Sequence, residues 1–85
     1  MKITVVGAGY VGLSNALLFS KQHDVMVYDI DKTRVKNINQ RVSPMSDTCI
    51  QNYLSESNIE ATCDQELAYQ QAKLIIIATD RKSVV

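Results

Sequence analysis

The chain of 85 residues has room for one small domain or part of one, because compact domains usually contain about 100–150 residues. This length excludes an enzyme built from two complete domains. Apolar residues make up 46% of the sequence, and nine basic residues balance nine acidic ones. The composition therefore predicts a packed core, and it argues against a disordered chain and against a nucleic acid partner.

Nothing in the sequence predicts a membrane partner. The longest apolar run, residues 74–78, is far shorter than the ~20 residues that cross a bilayer. Residues 2–13 imitate a signal peptide only loosely, because glycines interrupt the apolar stretch. We therefore expect a cytoplasmic location.

Apolar patterning predicts alternating strands and helices from the amino end. β-branched residues at 2–6 predict a buried strand, and an apolar stripe over residues 11–21 predicts a helix. A second apolar run predicts a strand at 25–30. Strand, helix and strand in this order form the crossover unit of a parallel sheet.

The alternation continues to residue 79. Asp31 is expected to cap a helix that Ser43-Pro44 ends. The later elements are a helix from Ser46 or Asp47, a strand at 59–62, a helix at 64–72 and a strand at 73–79. The inward-facing residues of these helices are predicted to be Val35, Ile38, Val42, Ile50, Tyr53, Leu54, Leu67 and Ala68. The order predicts a doubly wound α/β sheet.

All three glycines fall in the segment Gly7-Ala8-Gly9-Tyr10-Val11-Gly12, between the first strand and the first helix. This spacing and context match the dinucleotide-binding fingerprint of a Rossmann-like sheet. Gly7 permits a tight turn, Gly9 lets a pyrophosphate approach the backbone, and Gly12 lets the helix pack on the strand. Tyr10 and Val11 contribute backbone amides to the anion site. The alternative is a glycine turn that serves packing only.

Asp29 ends the second strand, about 20 residues after the fingerprint, where a carboxylate accepts the ribose hydroxyls of NAD. Its charge disfavours the 2′-phosphate of NADP. Arg34 complicates this preference, because it could accommodate that phosphate, flank the adenosine or simply be solvated. The alternative for Asp29 is a strand-end residue that faces water.

No residue is assigned a catalytic role. His23 falls in the turn opposite the strand ends that bind ligands, so we expect a solvated turn residue. Tyr53 and Tyr69 are expected to be packing residues. Cys49 and Cys63 fit neither a zinc site nor a disulfide framework and are expected to be buried, reduced thiols.

The sequence resembles the amino-terminal end of the UDP-glucose 6-dehydrogenases. The resemblance rests on MKITVVGAGYVGLS at 1–14, followed by His23-Asp24-Val25 and Tyr28-Asp29-Ile30-Asp31. It continues through Arg34-Val35, Asn39-Gln40, Ser43-Pro44 and Ala78-Thr79.

This resemblance implies an enzyme that oxidises a UDP-sugar to a carboxylate with two NAD molecules in succession, through a thioester on a cysteine. Val11, Asp29, Arg34 and Thr79 match cofactor-contacting positions. The catalytic residues of the family lie further along the chain and have no counterpart here. The UDP-sugar is therefore expected to be a partner of the intact enzyme alone, which is expected to be a homodimer in polysaccharide biosynthesis.

Residues 1–79 are accordingly expected to be a partial NAD-binding domain, the first half of its sheet. The tail 80–85 departs from the family. As a hypothesis, it is a sequencing artefact, because the codons GAT CGG AAG AGC GTC GTG reproduce the start of a common adapter. We expect the fragment to bind adenosine diphosphate weakly and to be inactive, with residues 75–77 at an aggregation-prone edge.

Two alternatives remain open on the sequence alone. One is another NAD-dependent dehydrogenase with the same fingerprint, acting on GDP-mannose or a hydroxy acid. The other is a nucleotide-binding module without catalysis.

Overall fold

The computed structural model describes residues 1–42 and 48–78. Its elements are β1 (Lys2–Val6), α1 (Tyr10–Phe19), β2 (Asp24–Tyr28), α2 (Lys32–Asn39), α3 (Thr48–Glu56), β3 (Glu60–Thr62), α4 (Gln65–Gln70) and β4 (Leu74–Ile77). The predicted order of elements is confirmed. The expected helix stop at Ser43-Pro44 and the expected cap at Ser46 or Asp47 lie outside the described residues. None of the helices in the described ranges combines the length and the apolar character that a bilayer span requires.

The four strands form one parallel sheet in the order β3-β2-β1-β4. Lys2 of β1 is opposite Asp24 of β2, and Ile3 is opposite Leu74 of β4. The chain builds outwards from β1 to β3 and then returns to the other side of β1. This reversal defines a doubly wound sheet, so the predicted fold class is confirmed. Ligands bind such sheets at the carboxyl ends of the strands beside the reversal.

β1 is buried because it has a strand on each side and a helix against each face. Ile3 and Val5 are 3% and 0% exposed and share the hydrophobic core with Leu13 of α1. Thr4 faces the other side of the sheet, where its hydroxyl donates to the carbonyl of Ala68 in α4 at 2.6 Å. Burial on both faces explains why β1 is β-branched throughout its centre.

Three residues that were predicted to face the core are exposed. Val42, Tyr53 and Leu67 have exposed fractions of 47%, 53% and 45%. Helix α2 ends at Asn39, and Arg41 turns the chain with a φ of 62°, so Val42 lies beyond the helix. Helices α3 and α4 are short and bury narrow stripes, made up of Ile50, Leu54 and Ala68.

The predicted burial of the two cysteines is also wrong, since both are free and exposed. Cys49 precedes Ile50, which takes the inward position in the first turn of α3. Cys63 follows β3 directly, where the chain leaves the sheet. Tyr69 is 36% exposed, and its predicted packing role is confirmed only in one contact, where its ring meets Tyr28 edge to face with centroids 6.0 Å apart.

The two edges of the sheet differ in their protection. On β3, the Asn39 side chain donates to the carbonyl of Ala61 at 2.9 Å and accepts from its amide at 2.8 Å, and Arg41 donates to the carbonyl of Ile59 at 2.6 Å. On β4, no strand of the described ranges pairs beyond the outer edge, and Ile77 is 72% exposed. Among the described strands, β4, which contains residues 75–77, therefore lies at an edge of the sheet.

Candidate nucleotide-binding site

The glycine turn connects β1 to α1 at the carboxyl end of the sheet. Gly7 has a φ of 106°, a conformation that side chains of L-residues rarely adopt. Its amide donates to the carbonyl of Tyr28 at 2.8 Å, which fixes the turn to the end of β2. Gly9 caps α1 in an extended conformation, and the helix begins at Tyr10.

Gly12 is required by the packing of α1 on the turn. A Cβ at this position would lie 1.9 Å from the carbonyl oxygen of Gly7, which is backbone, and 3.5 Å from the Cβ of Ala78. No side chain fits there unless the helix moves. The close packing of α1 predicted from Gly12 is confirmed, but its nearest neighbour is the backbone of the turn and not a strand.

Gly9 presents the opposite case. A Cβ at this position would meet no atom of the described residues within 4 Å, and its φ of −74° suits any residue. Neither packing nor backbone conformation therefore requires glycine here. What a side chain would occupy is the open space in front of the turn, which is where a pyrophosphate approaches in a dinucleotide site.

The first turn of α1 is suited to an anion. Gly9 provides no side-chain cap, and the first turn carries no acidic residue. The leading amides of a helix have no partners within the helix, and they carry the positive end of its dipole. The side chains of Tyr10 and Val11 are 59% and 62% exposed. Backbone amides in such a position bind phosphate groups.

Asp29 links the glycine turn to the end of β2. One carboxylate oxygen accepts from the amide of Ala8 at 2.7 Å, and the other accepts from the amide of Asp31 at 2.8 Å. The residue is only 9% exposed, so the alternative of a side chain facing water is wrong. Each carboxylate oxygen has a further lone pair, which leaves Asp29 able to accept ribose hydroxyls.

The bond between Asp29 and Ala8 was not predicted. The two residues are 21 positions apart, and the fingerprint assigns the acidic residue to the ribose alone. The structure shows that the same carboxylate also holds the glycine turn through the amide of Ala8. A ribose on Asp29 and a diphosphate on α1 would consequently be neighbours, as they are in an adenosine diphosphate.

Arg34, in the first turn of α2, lies beside this carboxylate. Its Nη1 is 3.8 Å from Oδ2 of Asp29, and its Nε is 3.8 Å from Oδ2 of Asp31. The structure thus brings Arg34 to the proposed ribose position. Asp31 caps α2 through Oδ1, which accepts from the amides of Thr33 and Arg34, as predicted.

The remaining residues of interest divide between the two ends of the sheet. Thr79 lies outside the described residues. The preceding residue, Ala78, donates its amide to the carbonyl of Val6 at 2.8 Å, so β4 ends beside the glycine turn. His23 lies at the opposite end, as predicted, but it is half-buried, and its Nδ1 is 3.5 Å from the amino group of Met1.

Two concavities of the described part are lined neither by the three glycines nor by Asp29. One, of about 280 Å³, is near His23 at the amino ends of the strands. The other, of about 360 Å³, runs between α1 and α3, and Tyr10 is among the residues that line it. The space that a Cβ at Gly9 would enter is open.

The sequence model of the UDP-glucose/GDP-mannose dehydrogenase family, NAD binding domain, matches residues 1–81. The chain is 46% identical over 81 residues to UDP-glucose 6-dehydrogenase of Streptococcus pneumoniae. It is 42% identical over 83 residues to that of Campylobacter jejuni. Each alignment covers 93% of this chain and 21% of the relative, so the chain spans about a fifth of the length of these proteins.

Solved structures show the same relation. GDP-mannose dehydrogenase from Pseudomonas aeruginosa superimposes with a TM-score of 0.89 at 27% identity, over 94% of this chain and 20% of that one. UDP-D-ManNAc dehydrogenase from Pyrococcus horikoshii gives a TM-score of 0.82 at 31% identity, over 93% of this chain and 20% of that one. The resemblance inferred from the sequence motifs is confirmed.

Proposed function

We propose that this chain, which belongs to the UDP-glucose/GDP-mannose dehydrogenase family and matches its NAD-binding domain, is the part of a UDP-glucose 6-dehydrogenase that binds the adenosine diphosphate half of NAD. We assign this role to residues 1–79. Support for UDP-glucose comes from the two relatives that are 46% and 42% identical, both of them UDP-glucose 6-dehydrogenases. The whole enzyme is proposed to be a cytoplasmic homodimer whose partner is the UDP-sugar.

The hydrogen bond from the Ala8 amide to Asp29 carries this proposal. It joins the acid at the end of β2 to the turn at the start of α1 with a length of 2.7 Å. In the proposed complex, amides of Gly9, Tyr10 and Val11 bind the diphosphate, and Asp29 accepts the ribose hydroxyls.

The other residues assigned to the site support these contacts. Gly7 provides the turn and Gly12 the close packing that place the amides. Arg34 flanks the ribose from α2, and Thr79, which follows β4, is assigned to the same site by the resemblance. When bound, NAD supplies the acceptor for the hydride that leaves the sugar alcohol.

This chain is proposed to bind the cofactor without acting on the sugar. Neither exposed cysteine lies at the glycine turn: Cys49 is in α3, and Cys63 follows β3. In the described ranges, no His, Cys, Asp and Glu side chains form a group that could hold a metal ion. We expect no oxidation of a nucleotide sugar by the purified chain.

The test compares the same substitution at the two ends of β2. Asp29→Asn removes the charge that receives the ribose, whereas Asp24→Asn changes an exposed residue at the far end of the strand. Hydrogen bonds to charged groups contribute about 1.5–3 kcal/mol, which corresponds to about 10- to 100-fold in affinity. We expect NAD binding, measured by calorimetry, to weaken by this factor in D29N and by less than about twofold in D24N.

Two results would contradict the proposal. One is equal NAD affinity of D29N and the unsubstituted chain, with circular dichroism showing both to be folded. The other comes from a chimera in which residues 1–78 replace the matching segment of the Streptococcus pneumoniae relative. The chimera should oxidise UDP-glucose with NAD, and failure of the folded chimera to bind NAD would rule out the proposed role.

A further inference from the structure

Arg34 is held between two carboxylates at the position proposed for the ribose. The distances are 3.8 Å from Nη1 to Oδ2 of Asp29 and 3.8 Å from Nε to Oδ2 of Asp31. The side chain of Asp29 is 10% exposed, and those of Arg34 and Asp31 are both 47% exposed. An arginine in this neighbourhood is the residue that accommodates the 2′-phosphate of NADP in related sheets, and its planar group binds phosphate in a bidentate manner.

We propose that Asp31 is a positioning residue for cofactor choice: its carboxylate pairs with the guanidinium of Arg34 and competes with a 2′-phosphate for it, which maintains the preference for NAD over NADP. The inference rests on the proposed function, because it requires the ribose to bind at Asp29. Without the Asp31 carboxylate, the guanidinium of Arg34 would be available for the phosphate contact that an NADP site requires.

The two oxygens of Asp31 have separate roles. Oδ1 accepts from the amides of Thr33 at 2.9 Å and Arg34 at 3.2 Å and thereby caps α2. Oδ2 faces the guanidinium. Capping requires an oxygen atom, whereas holding the guanidinium requires a charge. Asparagine and serine cap helices about as well as aspartate, so they separate the two roles.

The charges at this position explain the direction of the effect. Two carboxylates and one guanidinium leave a net charge of about −1 beside the ribose. A 2′-hydroxyl is neutral and is tolerated, whereas a phosphate monoester carries a charge of about −1.5 to −2 and is repelled. Removal of the Asp31 charge leaves Arg34 with Asp29 as its single anionic partner among the described residues, so the guanidinium is freer to bind the phosphate.

The experiment measures the affinities of the full 85-residue chain for NAD and NADP at low ionic strength by calorimetry. We expect Asp31→Asn to lower the ratio of the NADP to the NAD dissociation constant by about tenfold, and Asp31→Ser to do the same. Asp64→Asn is the matched control. Asp64 caps α4 through the amide of Leu67 and forms no ion pair within the described ranges, so the ratio should remain unchanged.

A double variant tests whether Asp31 acts through the arginine. In the Arg34→Gln background, Asp31→Asn should change the ratio by less than about threefold. A tenfold gain that persists without the arginine would overturn the proposal, because Asp31 would then act by direct repulsion. An unchanged ratio in D31N and D31S, with NAD still bound, would overturn it as well. Absence of NAD binding by the unsubstituted chain would instead refute the proposed function, and this inference with it.

Discussion

The two substitutions Gly12→Ala and Gly9→Ala should have opposite consequences. The Cβ that alanine adds at position 12 would lie 1.9 Å from the carbonyl oxygen of Gly7, whereas ordinary contact begins at 3.4 Å. Helix α1 and the turn must therefore separate by about 1.5 Å. Overpacking usually costs about 1–3 kcal/mol, and the obstacle here is backbone that cannot rotate away. We expect a loss of about 3 kcal/mol or more in G12A.

This loss is large against the stability of a chain of this length. Small domains unfold with roughly 0.05–0.15 kcal/mol per residue, or about 4–13 kcal/mol for the whole chain. At position 9, the added Cβ meets no described atom within 4 Å. The gain from a less flexible unfolded chain, about 0.4–1 kcal/mol, offsets the weaker capping by alanine, which costs about as much. G9A should thus stay within about 1 kcal/mol of the unsubstituted chain.

Urea unfolding followed by circular dichroism measures both differences, and NAD calorimetry separates the two glycines further. We expect G9A to be folded and to bind NAD at least tenfold more weakly, because its methyl group occupies the space in front of the turn. A G12A variant as stable as the unsubstituted chain would refute the packing argument. A G9A variant that loses more than about 2 kcal/mol would show that position 9 has a packing role after all.

Two further substitutions test the centre and the edge of the sheet. Thr4→Val removes the buried 2.6 Å hydrogen bond to α4 and should lower the free energy of unfolding, measured by urea titration, by about 1–3 kcal/mol. In the exposed control Thr48→Val, we expect a loss of less than about 0.5 kcal/mol. Equal losses in the two variants would contradict a stabilising role for the Thr4 hydrogen bond. Ile77→Lys places a charge on the open edge at a residue that is 72% exposed, so aggregation followed by light scattering should slow without unfolding. Ile76→Lys, at a residue packed against the core, should unfold the chain, and an I77K variant that aggregates as fast as the parent would show that another surface drives association.

The order of elements could be predicted because each signal is local. The centre of β1 consists of β-branched residues and is buried on both faces. The glycines that follow it allow the tight backbone turn that leads into α1. Asp31 and Asp64 were identifiable as helix starts because each cap bond spans two or three residues. Strand, helix and strand in succession then restrict the topology, since parallel crossovers are almost always right-handed.

The contacts that set the site geometry could not be predicted in the same way. The bond between Ala8 and Asp29 joins residues 21 positions apart, and no local pattern marks it. The exposure of Tyr53 and Leu67 was missed because periodicity identifies a helix but not the width of the face that its neighbours cover. Cys63 was missed because composition favours buried thiols, whereas its exposure depends on where the chain leaves β3.

The β3 and β4 edges of the sheet differ in how easily an additional strand could pair with them. The side-chain amide of Asn39 hydrogen-bonds both the amide and the carbonyl of Ala61, as the backbone of a neighbouring strand would. Another strand could pair with β3 at this residue only by displacing these two hydrogen bonds. Beside Leu74 and Ile75, which are 45% and 41% exposed, no strand of the described ranges occupies the outer edge of β4. Within the described part of the chain, pairing with another strand is therefore favoured at the β4 edge, which is the edge nearer the glycine turn. Amide hydrogen exchange should report this asymmetry, with Ala61 protected and the outward amides of β4 exchanging freely.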